Sequence, residues 1–467
     1  MFHPKTYIQR RTLLKKTLKS GLALFLGNEE SPMNYPANAY PFRQDSSFLY
    51  FFGLNTPGLA AVIDVEAGTD TVFGDDITLE DVIWMGELPA IKERVAAAGV
   101  FLTAPVSKLA DTLAEARRQG RPVHYLPPYR ADSLARLSGL LGLSSEEAKK
   151  NASTELVKAV VAQRSVKSED EVAEMEKALA VTRRMYLAAM TSTRPGLRES
   201  DVVAAVEAIA HAQGLQTAFP IILSINVHVF HNPHHDNKLP KGRLLVIDAG
   251  ASSSLGYASD ITRTIPVSGV YTQKQKEVYE IVLKGQLQAI AMMKPGVRYK
   301  DVHLAAARTM AAGLKELGLM KGDTEEAVAA GAHALFFPHG LGHMIGLDVH
   351  DMEGLGENFV GYDETVSRSG QFGLAYLRMA RELRPGYVLT VEPGIYFIPA
   401  LIDSWKAEKR QAAYIDYARV EDYRDFTGVR IEDNVLITRD GCRVLGRPIP
   451  KKVSDVEKTM APAKGSR

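Results

Sequence analysis

Residues 339–351 read HGLGHMIGLDVHD, with His343 at the centre and His339 and His350 on either side. Four other short segments each place an acid in an apolar setting: VIDAG (246–250), SDITRT (259–264), VEPGIYF (391–397) and GVRIEDN (428–434). Alone, any one of these acids reads as a capped turn or a surface charge. Together Asp248, Asp260, His343, Glu392 and Glu432 offer four carboxylates and one imidazole. An oxygen-rich set with a single nitrogen suits a pair of hard or borderline divalent cations. Two such cations side by side can activate water against an amide.

The surrounding residues say how these groups meet. Asp248 ends the apolar run Leu244–Ile247, which reads as a buried strand. A hairpin turning near Gly256 brings Asp260 back beside it. Glu392 follows a second strand-like run, Tyr387–Val391. Arg430 and Glu432 stand two apart on an expected strand, so their side chains share a face. Carboxylates at the ends of apolar strands are costly unless something compensates them.

In this order and these contexts, the five segments resemble the dinuclear metallopeptidases that cut before proline, the prolidase and aminopeptidase P family. The resemblance covers nearly the whole chain and is strongest from about 220 to 440. It implies an α+β chain: an N-terminal α/β domain of the creatinase/prolidase type, then a C-terminal pita-bread domain in which two helix pairs back a curved antiparallel sheet. It implies that Asp260 and Glu432 bridge two metals, that Asp248 chelates one, and that His343 and Glu392 complete the other. Manganese is the first choice for so oxygen-dominated a set, with cobalt, zinc and iron as alternatives. Arg430 is expected to pair with a ligand carboxylate and Tyr396 to join that network. Glu392 doubles as the proton shuttle. His231 and His350 become contacts to substrate and transition state, and His339 part of the proline pocket. One departure is that Asp248 and Asp260 stand one residue further apart than is usual in the family. The serine run Ser252–Ser254 at the hairpin tip can absorb it.

Arg378, in LRMARELRPGYVLTVEPG (377–394), resembles the prolidase arginine that clamps a dipeptide's terminal carboxylate. Bidentate arginine suits that contact. Trp84, in IWMGEL (83–88), resembles a prolidase tryptophan that closes a neighbouring subunit's pocket, which implies a homodimer. The long stretch FIPALIDSWKAEKR (397–410) also points to prolidases. The implied substrate is a small peptide with proline second, leaning to dipeptides. An aminopeptidase P acting on longer peptides is the alternative, and a non-catalytic pita-bread binding module a remote one. Creatinase-type enzymes and binding modules lack these ligands. Methionine aminopeptidases lack the N-terminal domain.

Outward from the site, a repeat appears. Pro195-Gly196-Leu197-Arg198 precedes Asp201-Val202, and Pro295-Gly296-Val297-Arg298 precedes Asp301-Val302. Each copy follows a long amphipathic stretch (about 171–191 and 273–293) and opens another helix. A duplicated unit with pseudo-twofold symmetry follows. Residues 1–165 form the expected first domain. AAVIDVEAG (60–68) reads as strand and turn, IKERVAAAG (91–99) and DTLAEARRQG (111–120) as helices stopped by glycine. Ser168 with Glu171 makes a capping box near the boundary, and 166–467 form the second domain. The tail from Lys451 is lysine-rich and expected to fray.

Composition bounds the rest. Lys+Arg 56 against Asp+Glu 55 leaves the chain almost neutral, which argues against a nucleic-acid partner. No run approaches the ~20 apolar residues of a membrane span. Arg10-Arg11 faintly resembles an export signal, but the apolar stretch Leu22–Leu26 is too short for its core, so a helix and then a strand are expected. One cysteine, Cys442, excludes an intrachain disulfide and fits a cytoplasmic enzyme. His228, His234 and His235 read as loop residues, and His303 as a structural or solvent-facing helical residue.

Overall fold

The computed structural model describes residues 1–462. By its internal contacts the chain forms two compact units. The first is Met1–Arg164 with Glu353–Phe359; the second is Ser165–Met352 with Val360 onward.

The first unit is built on a five-stranded mixed sheet. Its strands are β1 (Leu22–Leu26), β2 (Ala60–Asp64), β3 (Asp70–Phe73), β4 (Leu102–Ala104) and β5 (Val123–Tyr125), in the order β4-β3-β2-β1-β5. β1 is apolar along its length because it is central, antiparallel to β2 and parallel to β5. Leu22 and Leu24 pack with Val62, Phe73 and Leu113. The paired arginines of the helix Pro4–Thr17 are structural in this unit. Arg11 is fully buried and donates to the carbonyls of Phe51, Ala98 and Gly99 and to Asp70. It thereby satisfies orphan carbonyls that follow two helix ends. Arg10 stacks over Tyr50.

The second unit carries the repeat. A capping box at Ser168 and Glu171 starts the helix Glu169–Ser192, which packs on Glu199–His211; Gln273–Met292 packs on Tyr299–Glu316 in the same way. Between the helices of each pair, Gly196 (φ 94°) and Gly296 (φ 86°) take a left-handed turn that a Cβ would strain. The correspondence runs further than the sequence motif. Gly196 N–H donates to Leu239 O and Gly296 N–H to Leu383 O. Bridges Arg198–Lys238 and Arg298–Glu382 follow suit. Each contact delivers the chain into a buried strand that ends in a carboxylate: β7 (Leu244–Ala249) carries Asp248, and β9 (Val388–Val391) runs into Glu392.

All strand pairs in this unit are antiparallel, as a pita-bread domain requires. Ladder hydrogen bonds divide them into three short sheets: β6 (Ile222–Ser224), β7 and β8 (Ile261–Pro266); β9, β12 (Asp433–Ile437) and β13 (Cys442–Val444); and β10 (Gly394–Tyr396) with β11 (Gly428–Arg430). Among the described residues one isolated bridge, Thr262 to Glu432, joins the first two.

Two sequence expectations need correction. The chain from Lys451 does not fray over its first part. Val453–Met460 is a helix with Val456 fully buried, and Lys451 Nζ donates to Asp433 and Gln286. The final residues, Ala463–Arg467, lie outside the described residues. Arg430 and Glu432 do not share one continuous strand, because Ile431 interrupts the ladder between β11 and β12. His303 is fully buried, the structural one of its two expected alternatives. Cys442 is half-buried on β13, and its thiol donates to Ile290 O.

Candidate metal centre and substrate pocket

One cavity of about 970 Å³ collects most of the residues singled out above; Tyr396 lies buried behind its wall. Asp248, Asp260, His343, Glu392 and Glu432 line it, with His231, His339, His350, Arg378 and Arg430. Asp260, His343 and Glu432 each place one ligand atom within 4.8 Å of the others. His343 Nε2 lies 3.5 Å from Asp260 Oδ2 and 3.6 Å from Glu392 Oε1. Asp248 stands across the hairpin, where Arg430 Nη2 donates to its Oδ2 at 2.6 Å.

Local structure explains each placement. β7 and β8 pair Asp248 opposite Thr262. The hairpin tip closes through Ser253 N–H to Tyr257 O and Gly256 N–H to Ser253 O. Gly250 is required just after Asp248, since a Cβ there would meet the Ser259 carbonyl. Asp260 is pinned through its backbone: Asn434 accepts from its N–H at 3.0 Å and donates to its carbonyl at 2.6 Å. Thr262 donates to Glu432 Oε2 at 2.6 Å and accepts from Arg430 Nε. Sequence reasoning passed over Thr262 and Asn434, although SDITRT and GVRIEDN contain both. It also passed over the cavity's apolar wall, which includes Phe219, Ile221, Phe230, Phe372 and Leu401.

The donor set fits a pair of divalent cations. Asp248 Oδ1, Asp260 Oδ1 and Glu432 Oε1 are buried without a hydrogen-bond partner, a costly state that a cation would relieve. His343 Nδ1 faces the Met344 carbonyl at 2.9 Å. A carbonyl only accepts, so in the neutral ring Nδ1 holds the proton and Nε2 turns its lone pair to the carboxylates. Burial lifts the Glu392 carboxyl to about 8, with Asp260 and Asp248 adding to the rise. Burial and neighbouring carboxylates push Asp260 and Glu432 up as well.

This crowding has a pH signature. In metal-free protein, the raised carboxyls hold protons that the unfolded chain has lost above about pH 4.5. Their contribution to stability is full below that pH and disappears as pH rises through about 8. The melting temperature of chelated protein is therefore expected to fall between pH 6 and 9, more steeply than that of metal-loaded protein. A chelated protein that melts at a constant or rising temperature over this interval would contradict the burial argument.

The substrate side is more varied. His339 Nδ1 donates to Gly340 O and its Nε2 accepts from Tyr396 OH, each at 2.8 Å. Arg430 Nη1 donates to the same phenol oxygen. Burial drives the His339 pKa down to about 3. Both ring nitrogens are thus committed and the ring is neutral. What His339 offers a ligand is its surface, within an aromatic group of Phe230, Phe337 and Tyr396. His350 stacks near His343, ring centres 4.1 Å apart. His231 is exposed at the cavity wall, its pKa lowered by partial burial and by Arg430. Trp84 is not among the lining residues; it is 79% exposed on the helix Leu79–Met85.

Comparison with known proteins places the chain among peptidases. Residues 173–439 match metallopeptidase family M24, and residues 7–124 match the aminopeptidase P N-terminal domain. The Xaa-Pro dipeptidase of Homo sapiens is 31% identical over 94% of this chain and 88% of its own. A probable Xaa-Pro aminopeptidase of Fusarium vanettenii is 35% identical over 89% of this chain and 87% of its own. Among solved structures, the Pseudomonas aeruginosa aminopeptidase PepP superposes with a TM-score of 0.82 at 30% identity, covering 100% of this chain and 99% of that one. The zinc-substituted Escherichia coli aminopeptidase P in complex with product gives 0.81 at 29% identity, covering 100% of both chains.

Proposed function

This chain belongs to metallopeptidase family M24, and from that premise we propose a metal-dependent Xaa-Pro peptidase that favours Xaa-Pro dipeptides. Its relatives are named Xaa-Pro dipeptidases and Xaa-Pro aminopeptidases. The observation that carries the catalytic reading is the set of buried, unpartnered carboxylate oxygens around His343.

In this reading Asp248, Asp260, His343, Glu392 and Glu432 hold two divalent cations, manganese first. When bound, the cations polarise the scissile carbonyl and make water a stronger nucleophile at neutral pH. The chain's own groups do the rest. Arg430 holds Asp248, and Thr262 holds Glu432, so the carboxylates keep one geometry. Glu392 takes a proton from the attacking water and passes it to the departing proline nitrogen. His231 and His350 donate to the oxygen on which charge develops. The aromatic surface of His339 and Phe230, backed by the buried Tyr396, receives the proline ring. The bond cut is a tertiary amide with no N–H, so recognition falls to this ring surface and to the ends of the peptide.

Arg378 lines the cavity together with Glu392 and His339, and its positive charge acts on both. A dipeptide's terminal carboxylate is the group it would clamp. The cavity's size supports the aminopeptidase alternative, since 970 Å³ lies at the upper end of the ~300–1,000 Å³ of pockets that enclose drug-sized ligands. Gly-Pro and Ala-Pro set beside Arg-Pro-Pro and longer peptides decide between them. Arg378→Ala is expected to lower kcat/KM for dipeptides by about 10²-fold and to spare the longer peptides. Faster trimming of the longer peptides by the wild-type enzyme would make it an aminopeptidase P and remove the clamp.

A homodimer and a cytoplasmic location complete the reading. Leu79, Ile83, Trp84 and Met85 are all exposed on one short helix, a surface that a second copy would cover. Equilibrium sedimentation is expected to give twice the chain mass, and Trp84→Glu to shift it toward the monomer. A wild-type monomer at micromolar concentration would refute the dimer. Among the described residues no helix is long and apolar enough to cross a membrane.

A further inference from the structure

The loop Met344–Met352 carries His350, and an ion pair beneath it is among the most buried in the protein. Lys167 Nζ lies 2.9 Å from Asp351 Oδ2, and each side chain is 1% exposed. Burying two charges is costly, and an apolar pair of similar volume often serves stability as well or better. Stability alone is therefore weak grounds for the presence of these two residues.

Their contacts suggest another role. Asp351 Oδ1 accepts from Asp348 N–H at 3.2 Å, and Asp351 N–H donates to Met344 O at 2.8 Å. Gly346 passes so close that a Cβ there would lie 2.5 Å from Asp351 Oδ2 and 3.0 Å from Lys167 Cε. The Gly346 carbonyl accepts from Ala258 N–H, on the hairpin that carries Asp260. Met352 is held at φ 65°, a conformation that persists only where its surroundings over-determine it. Lys167 is fixed in turn, because its own N–H donates to Gly386 O at the start of the segment leading into β9 and Glu392. Lys167 and the loop around Asp351 thus link the residue beside His350 to the segment leading into β9 and to the β7–β8 hairpin.

We propose that Lys167 and Asp351 are positioning residues that set the His350 imidazole against the scissile amide. This rests on the reading of His350 as a substrate contact, and the test separates the two. His350→Ala is measured first; wild-type kcat in that variant would refute the His350 reading itself. Lys167→Met alone leaves a buried charge, so the informative variant is the double K167M/D351N, which removes both. It is expected to melt near wild type and bind the same metal, yet to lose about 10²-fold in kcat with little change in KM. Added to H350A, the same pair of changes should cost less than about 3-fold more, since it acts through a residue already gone. If the double variant does not fold, Asp351→Glu decides. It keeps the charge but displaces the carboxylate, and about a 10-fold fall in kcat is expected. Wild-type kcat in whichever variant folds, or a full multiplicative loss on H350A, would overturn the proposal.

Discussion

Asp260→Asn is expected to abolish hydrolysis of Ala-Pro, with kcat at least about 10³-fold down, because the site loses charge stabilisation worth several kcal/mol. Asp260 is one of the buried candidate ligands. It is 5% exposed, its Oδ1 has no partner, and its Oδ2 lies 3.5 Å from His343 Nε2. Asn434 holds its backbone from both sides, so the amide variant keeps the same place. Asparagine matches the carboxylate in shape and removes only the negative charge. Folding should therefore survive, and metal-free protein should even gain stability, because one member of a repelling group is neutralised. Metal content by elemental analysis is expected to fall with kcat. A variant with full metal content and activity within about 10-fold of wild type would show that Asp260 is not a bridging ligand.

Glu392→Gln is the second large effect, by a different route. The side chain keeps its size and loses its capacity to take and release a proton. A positioned general base contributes about 10²–10⁴-fold, so kcat should fall by about 10³-fold with KM little changed. In the proposed reading, substrate binding draws on the aromatic surface and Arg378, which the change leaves alone. The acidic limb of the pH–rate profile should also flatten, because the group that must be ionised there is gone. A variant that loses KM rather than kcat would make Glu392 a binding group and return the proton shuttle to another residue.

How much of this was legible in the sequence depends on the range of the contact involved. Asp248 and Glu392 could be read as strand-terminal acids because four or five apolar residues precede each. The doubled Pro-Gly turn was legible for a similar reason: a left-handed glycine between two helices leaves a fixed local signature. The repeat's deeper half was not visible. The contacts of Gly196 with Leu239 and of Gly296 with Leu383 span very different loop lengths, so no fixed period links them. Arg430 and Glu432 were read as one strand because their spacing is right for one. The break at Ile431 arises where the chain leaves β10 to join β9, a tertiary choice. The helix Val453–Met460 was read as part of a fraying tail because the segment from Lys451 is lysine-rich as a whole. What holds it is the buried Val456 together with Lys451 on Asp433. Thr262 and Asn434 look like ordinary polar strand residues until the fold brings them against Glu432 and Asp260.

The central claim is that five side chains, from the β7–β8 hairpin, the β9–β12 strand pair and one loop, form a single dinuclear site that cuts before proline. The most direct test is to titrate manganese into chelated protein while following both bound metal and proline release from Ala-Pro. The account predicts that activity is absent without metal, returns as cations bind, and reaches its maximum at two per chain. Proline release that persists in fully chelated protein, or that saturates with no metal bound at these residues, would contradict it.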